Sequence, residues 1–276
     1  MNCRILGVAF AEPIGARCWQ CTKTLSRRAV RADLSRKAGE VKLHLLGDPY
    51  YGGRGTLWGA KAVIDRATDI LGLVDVQPTF MPGGELAVAD GDAVVPAINR
   101  LLRLFDHAFA TQDWHPAGHS SFASAHPGRK PYDTIEMSYG RQVLWPDHAL
   151  QGSDNAALHP ALDMTKVEVI VRKGFDPAID SYSTFFENDH RTATGLDGWL
   201  RQRGFRRVFL AGLATDFCVA WSAEDAVRLG YEVTVIEDAC RGIGIDLGNG
   251  RTTLDEARDR LSGLGVRMVK SEALTA

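Results

Sequence analysis

RRVFLAGLATDFCVAWSAEDAVRLGYEVTVIEDAC, residues 206–240, decides the fold. RRVFLAGL (206–213) is a short apolar run of strand length. TDFCVAWSAEDAVRLG (215–230) then reads as a helix, with Thr215 as N-cap and Gly230 at its C-terminal stop. YEVTVIEDAC (231–240) returns to strand character. Working outward, ILGLVDV (70–76), HAFATQDW (107–114), VEVIVRK (167–173) and VRMVK (266–270) are further strands. AVVPAINRLLRLF (93–105) places Val94, Ile98, Leu101, Leu102 and Phe105 on one helical side, and TTLDEARDRLSGLG (252–265) is a helix ending in glycine. Strands alternating with helices predict an α/β fold with a mostly parallel six-stranded sheet and helices on both faces, a Rossmann-like three-layer arrangement. In such sheets functional groups gather at the carboxyl ends of the strands. That rule selects Asp75, Asp113, Lys173 and the turn 214–218.

The chain has 276 residues, a formal net charge of -2 and 45% hydrophobic residues. That supports a sizeable core and gives no global attraction to nucleic acid or an anionic membrane. No apolar run approaches the ~20 residues that span a bilayer. The cysteines are Cys3, Cys18, Cys21, Cys218 and Cys240. An odd count clustered at one end is a poor disulfide framework, so reduced thiols and a cytoplasmic location are expected. Residues 1–66 hold 12 Lys and Arg against 5 Asp and Glu, opposite in sign to the rest, and lack strand–helix rhythm. They are read as a basic N-terminal extension, disordered or a mis-assigned start, before a domain at 67–276. Cys18-Trp-Gln-Cys21 has zinc-ligand spacing but no second pair nearby. Segment 114–166 has weak periodicity and is rich in Pro, Gly, His and Ser, the mark of a functional loop system.

Cys218 follows an apolar strand and falls in the first turn of a helix. Partial positive charge there favours a thiolate, and backbone N–H groups can bind an oxyanion. A buried structural cysteine fits this stretch equally well. Asp75 ends a buried strand, where a carboxylate is costly unless paired, catalytic or used in a turn. Lys173 also ends a strand, where most lysines are simply solvated. Asp113 and His115 lie two apart on an extended segment and face one side, the geometry of two ligands to one metal ion. His119 and His148 offer more donors. Mixed Asp/His ligation fits Zn²⁺, Fe²⁺ or Mn²⁺.

The stretches LVDVQPTFMPGGELAV, TQDWHPAGHSSFAS, LWPDHALQGS, VRKGFDPAIDSYSTFF and GLATDFCV occur in this order. Together they resemble the nicotinamidase/pyrazinamidase group of the isochorismatase-like cysteine hydrolases, over roughly residues 67–272. The resemblance implies hydrolysis of nicotinamide, and of pyrazinamide, to the acid and ammonia through a cysteine thioester, feeding NAD salvage. It implies Cys218 as nucleophile, Asp75 as general base and acid, and Lys173 as the third catalytic member. Asp113, His115 and His148 would bind one divalent metal, most simply zinc, with His119 as a further ligand or a supporting residue. Phe80, Trp145 and Tyr182 would enclose the pyridine ring. A cis Leu213–Ala214 peptide would form the oxyanion hole from the N–H groups of Ala214 and Cys218. The chain departs from the family at Pro78-Thr79, usually Asn-Asp, and at Ala149, often Cys. A ureido or carbamoyl amidohydrolase of the same superfamily is the alternative, but such enzymes generally lack the metal segment. A small-molecule substrate is the expected partner, and the sequence leaves homo-oligomer formation open.

Overall fold

In a computed structural model, which describes residues 62–276, the expected sheet is present. The expectations for Cys18, Cys21 and the basic segment before residue 62 lie outside the described residues. Six strands lie in one sheet: β2 (Asp69–Val74), β3 (Ala108–Asp113), β6 (Val167–Lys173), β7 (Arg207–Leu213), β8 (Glu232–Arg241) and β9 (Arg267–Val269). Their order is β6-β3-β2-β7-β8-β9, with every neighbouring pair parallel. The chain therefore winds outward from β2 in one direction and from β7 in the other, and a crevice opens between them at the carboxyl ends. β2 and β3 are buried along their whole length; this explains the apolar run 70–74 of β2, whereas β3 also buries Thr111, Gln112 and Asp113, each held by a hydrogen bond or ion pair.

Among the described residues, four α-helices pack around the sheet: α1 (Val94–Leu101), α2 (Leu196–Arg203), α3 (Ala220–Arg228) and α4 (Thr253–Gly263). The predicted helix 93–105 ends at Leu101. The predicted helix 215–230 opens with a π-type turn over Thr215–Val219 before α3 begins. α2 had no counterpart in the sequence reading. It is one short element between two left-handed glycines, Gly195 and Gly204, with only Leu196 and Leu200 buried. No helix among the described residues is long and apolar enough to cross a membrane. The loop system 114–166 contains a hairpin of β4 (Thr134–Met137) and β5 (Gly140–Val143).

Gly212 brings the two halves of the crevice together. It has φ +128°, and a Cβ there would lie 2.0 Å from the Val74 carbonyl oxygen. Only glycine lets the end of β7 close on the end of β2 in this way. The N-terminal side of the sheet is closed by β1 (Ala62–Val63), which pairs parallel with β10 (Leu274–Thr275). Ile64 is buried, Arg207 donates to the Val63 carbonyl at 2.9 Å, and Arg66 pairs with Asp106 at 2.8 Å. The expected boundary before residue 67 cuts through this packing, so residues 62–66 belong with the sheet. The charge reversal ends near residue 66, whereas the packing starts earlier, because one buried isoleucine is invisible in a charge count.

A chain starting at Ala67 is expected to melt below one starting at Ala62. Burying Ile64 contributes roughly 2 kcal/mol, equivalent to about 4–8 °C in a domain of this size. Coincident melting curves for the two chains would show that these contacts carry no weight.

Candidate active site

Four strand ends deliver the chemistry. Asp75 follows β2, Asp113 ends β3, Lys173 ends β6 and Cys218 lies in the turn after β7. Lys173 is fully buried and joins them. Its ammonium nitrogen is 2.8 Å from Asp75 Oδ2, 3.5 Å from Cys218 Sγ, donates to the Ser181 carbonyl at 2.9 Å and also pairs with Asp113. Asp75 adopts φ 49°, an unusual backbone for aspartate, and Thr111 holds it there. The Thr111 hydroxyl donates to Asp75 Oδ1 at 2.6 Å and accepts the Asp75 N–H at 3.1 Å.

Burial and charge act against each other in this cluster. Burial pushes the Asp75 carboxyl up to about 6, although Lys173 opposes it. Burial also pushes the Cys218 thiol well above its ordinary value, again against Lys173. The helix-terminus argument from sequence pointed the other way. A helix dipole contributes only about 0.3–1 kcal/mol at a typical site, too little to offset full desolvation of a thiolate. Lys173 loses by burial but gains more from Asp113 and Asp75, so its ammonium is held well above the usual range. Asp113 is also penalised by burial, but Lys173 and His148 keep it well below the usual carboxylate range.

Asp113, His115 and His148 form a second, adjoining cluster. Their ligand atoms all lie within 4.8 Å of one another, and all three residues are buried. His148 Nδ1 lies 2.8 Å from the Pro146 carbonyl, which turns Nε2 toward Asp113 Oδ2 at 3.7 Å. His115 Nε2 bonds Asp180 at 3.2 Å, while its Nδ1 is buried with no partner. A carboxylate oxygen and two imidazole lone pairs without other work are the donor set a divalent cation takes up, so these residues fit one. His119 does not share this freedom. Its Nδ1 accepts from the Ser121 N–H at 3.1 Å and its Nε2 donates to the Asp176 carbonyl at 2.8 Å. It packs edge-on against His115, with ring centroids 4.5 Å apart, as a support.

One cavity touches both clusters. It is lined by Phe80, Trp145, Tyr182, Ala214, Asp113, His148 and Cys218, the residues marked in the sequence, and also by Phe217, Leu86 and Ile243, which were not. Phe217 closes the aromatic wall at 4.8 Å from the Trp145 ring and 5.5 Å from Tyr182. The Leu213–Ala214 peptide is cis. Thr79, at the departure from the family pattern, accepts the Ala149 N–H at 3.1 Å and donates to Glu85 at 2.9 Å. It thereby ties the loop of Phe80 to the loop of His148. Gln77 clamps the Asp113 backbone, accepting its N–H at 2.8 Å and donating to its carbonyl at 2.9 Å.

The Isochorismatase domain model matches residues 69–248. The chain belongs to the isochorismatase family. A nicotinamidase of Acinetobacter baylyi is 51% identical over 199 residues, 72% of this chain and 91% of that protein. Among solved structures, a nicotinamidase/pyrazinamidase of Acinetobacter baumannii is 50% identical with a TM-score of 0.71, covering 75% of this chain and 97% of that one. A zinc-bound pyrazinamidase of Pyrococcus horikoshii is 31% identical with a TM-score of 0.59, covering 73% and 98%. Within the family the chain groups with these nicotinamidases and pyrazinamidases.

Gly174, directly after Lys173, has φ +67°, and a Cβ there would lie 2.7 Å from His115 Nε2. Gly174→Ala is expected to push the imidazole off Asp180 and weaken divalent-metal binding by roughly 10–100-fold, the usual scale for losing a supporting contact to a ligand. Zinc titration against a chelator reads this out; unchanged affinity would show that the ring tolerates the methyl group.

Proposed function

We propose that the chain is a nicotinamidase that hydrolyses nicotinamide to nicotinate and ammonia, with a bound zinc ion, and so supplies nicotinate to NAD salvage. The observation that carries this reading is the shared cavity. Cys218, linked through Lys173 to Asp75, and Asp113 and His148, two of the three members of the donor set with His115, line one aromatic-walled space. The second set favours a pyridine carboxamide over a ureido or carbamoyl substrate, which offers no ring nitrogen for a metal.

Asp113, His115 and His148 would hold the metal, which when bound supplies a Lewis-acidic anchor for the ring nitrogen. Phe80, Trp145, Tyr182 and Phe217 enclose the ring and exclude water. The carboxamide carbon then lies beside Cys218 Sγ. At neutral pH the resting pair is an Asp75 carboxylate and a Cys218 thiol, because one titrates near 6 and the other far higher. The thiol proton therefore passes to Asp75 as sulfur attacks, rather than before. The N–H groups of Ala214 and Cys218 receive the developing oxyanion. Asp75 returns its proton to the leaving nitrogen, ammonia departs and a thioester remains. Asp75 next takes a proton from the attacking water, the C–S bond breaks, and Asp75 returns that proton to the Cys218 sulfur as nicotinate is released. Lys173 keeps the Asp75 carboxylate in place throughout.

Ammonia release from purified protein with nicotinamide tests the reading directly. Benzamide lacks the ring nitrogen and should show a far lower kcat/KM. Equal kcat/KM for the two amides would overturn the anchoring role. Cys218→Ala should lose on the order of three decades or more of turnover, whereas Cys240→Ser on β8 should leave the chemistry intact. Because Asp75 must be ionised to accept the thiol proton, kcat/KM should fall as pH drops through about 6. An acid limb in the ordinary carboxylate range, near 4, would show that Asp75 is not the base.

A further inference from the structure

Gln142 lies on β5, in a hairpin whose other side chains are exposed or half-buried, yet it is itself fully buried. A primary amide is stable there only when its donors and acceptor are used. Its Nε2 faces three acceptors: Asp180 Oδ2 at 2.6 Å, the Val143 carbonyl at 2.7 Å and the Tyr182 hydroxyl at 2.9 Å. Its Oε1 accepts from the Tyr139 hydroxyl at 3.2 Å and from Asn188 at 3.3 Å.

Two of these partners, Asp180 and Tyr182, themselves line the cavity. Asp180 uses its other oxygen on His115 Nε2, at 3.2 Å. Tyr182 also accepts from Trp145 Nε1 at 3.1 Å, and both rings line the cavity. A continuous chain of hydrogen bonds thus runs His115, Asp180, Gln142, Tyr182, Trp145. We infer that Gln142 is a positioning residue that couples the metal-binding end of the cavity to the wall that holds the substrate ring. This rests on the nicotinamidase reading above and deepens it. Without the amide donor, Asp180 Oδ2 is a buried carboxylate oxygen lacking its partner. The carboxylate then leaves its place, and the imidazole of His115 loses its orientation. In the same step Tyr182 loses one of the two donors that fix its hydroxyl.

The experiment uses the full chain with Gln142→Met, which keeps length and removes the donors, and Gln142→Glu, which keeps shape and places an acceptor against Asp180. Zinc affinity is measured by chelator competition, and KM and kcat for nicotinamide are measured at saturating zinc. Both variants should bind zinc about tenfold or more weakly, and both should raise KM more than they lower kcat. Tyr182→Phe is the contrast. It cuts the chain beyond Asp180, so zinc affinity should stay at the wild-type value while KM rises. A folded Gln142 variant with wild-type zinc affinity and wild-type KM would overturn the coupling, whatever its melting temperature, because a purely structural role moves only that temperature. Should the methionine variant not fold, the isosteric glutamate variant decides by the same readings. Wild-type protein that neither takes up zinc nor releases ammonia from nicotinamide would overturn the functional reading along with the coupling, whereas normal wild-type behaviour with unaffected variants overturns the coupling alone.

Discussion

The ammonium group of Lys173 has no contact with solvent, and the site is organised around satisfying it. An isolated buried ammonium is costly by several kcal/mol, and removing one partner of a buried pair costs about 3–5 kcal/mol. Its partners come from β2, β3, the stretch after β6 and the turn after β7, which are distant in sequence. Only the order β6-β3-β2-β7 brings those four ends to one place. Fold and site are therefore one constraint: the topology supplies the anions, and the buried cation holds the strand ends at a fixed separation.

The same burial sets the protonation of the reacting groups. Desolvation penalises a Cys218 thiolate and an Asp75 carboxylate alike, but the carboxylate starts from a much lower ordinary value. It therefore ends near neutrality, as the proposed role of base requires, while the thiol is pushed well above its ordinary value. A preformed thiolate would react with any electrophile that entered. A thiol that ionises only as it attacks is matched to an amide, whose leaving nitrogen needs that same proton.

The sheet was legible because its central strands β2, β7 and β8 appear as apolar runs, as strands buried on both faces do, and all six strands were read at nearly their true positions. α2 and the β4–β5 hairpin were not, since each is too short to show a period and is held by contacts made elsewhere. At the site, Asp75, Asp113, Lys173 and the turn of Cys218 are marked by their place at the carboxyl ends of strands. Thr111, Asp180 and Gln142 are not. Each matters through a hydrogen bond to a residue 36 to 65 positions away, and a threonine in a strand or a glutamine in a hairpin carries no sign of that. Phe217 had a weak signal, as an aromatic next to Cys218, but a place in the core explains such a residue equally well. His119 shows the converse. Its spacing from His115 suggests a ligand, and only the bonds to Ser121 and Asp176 show that both nitrogens are engaged.

Asp113 belongs to both clusters, and this joins the two halves of the chemistry. One carboxylate oxygen pairs with Lys173 and the other faces His148. Lys173 brings one positive charge to Asp75 and Asp113, so the described cluster carries one uncompensated negative charge. A divalent cation held beside Asp113 would offset that charge and draw electron density from the carboxylate that Lys173 also pairs with. The lysine would then interact more with Asp75 and Cys218 and less with Asp113. Metal binding and proton affinity would thus be coupled through a single side chain. Gln77 fixes the backbone of that side chain from both sides, which keeps Asp113 from serving one cluster at the expense of the other.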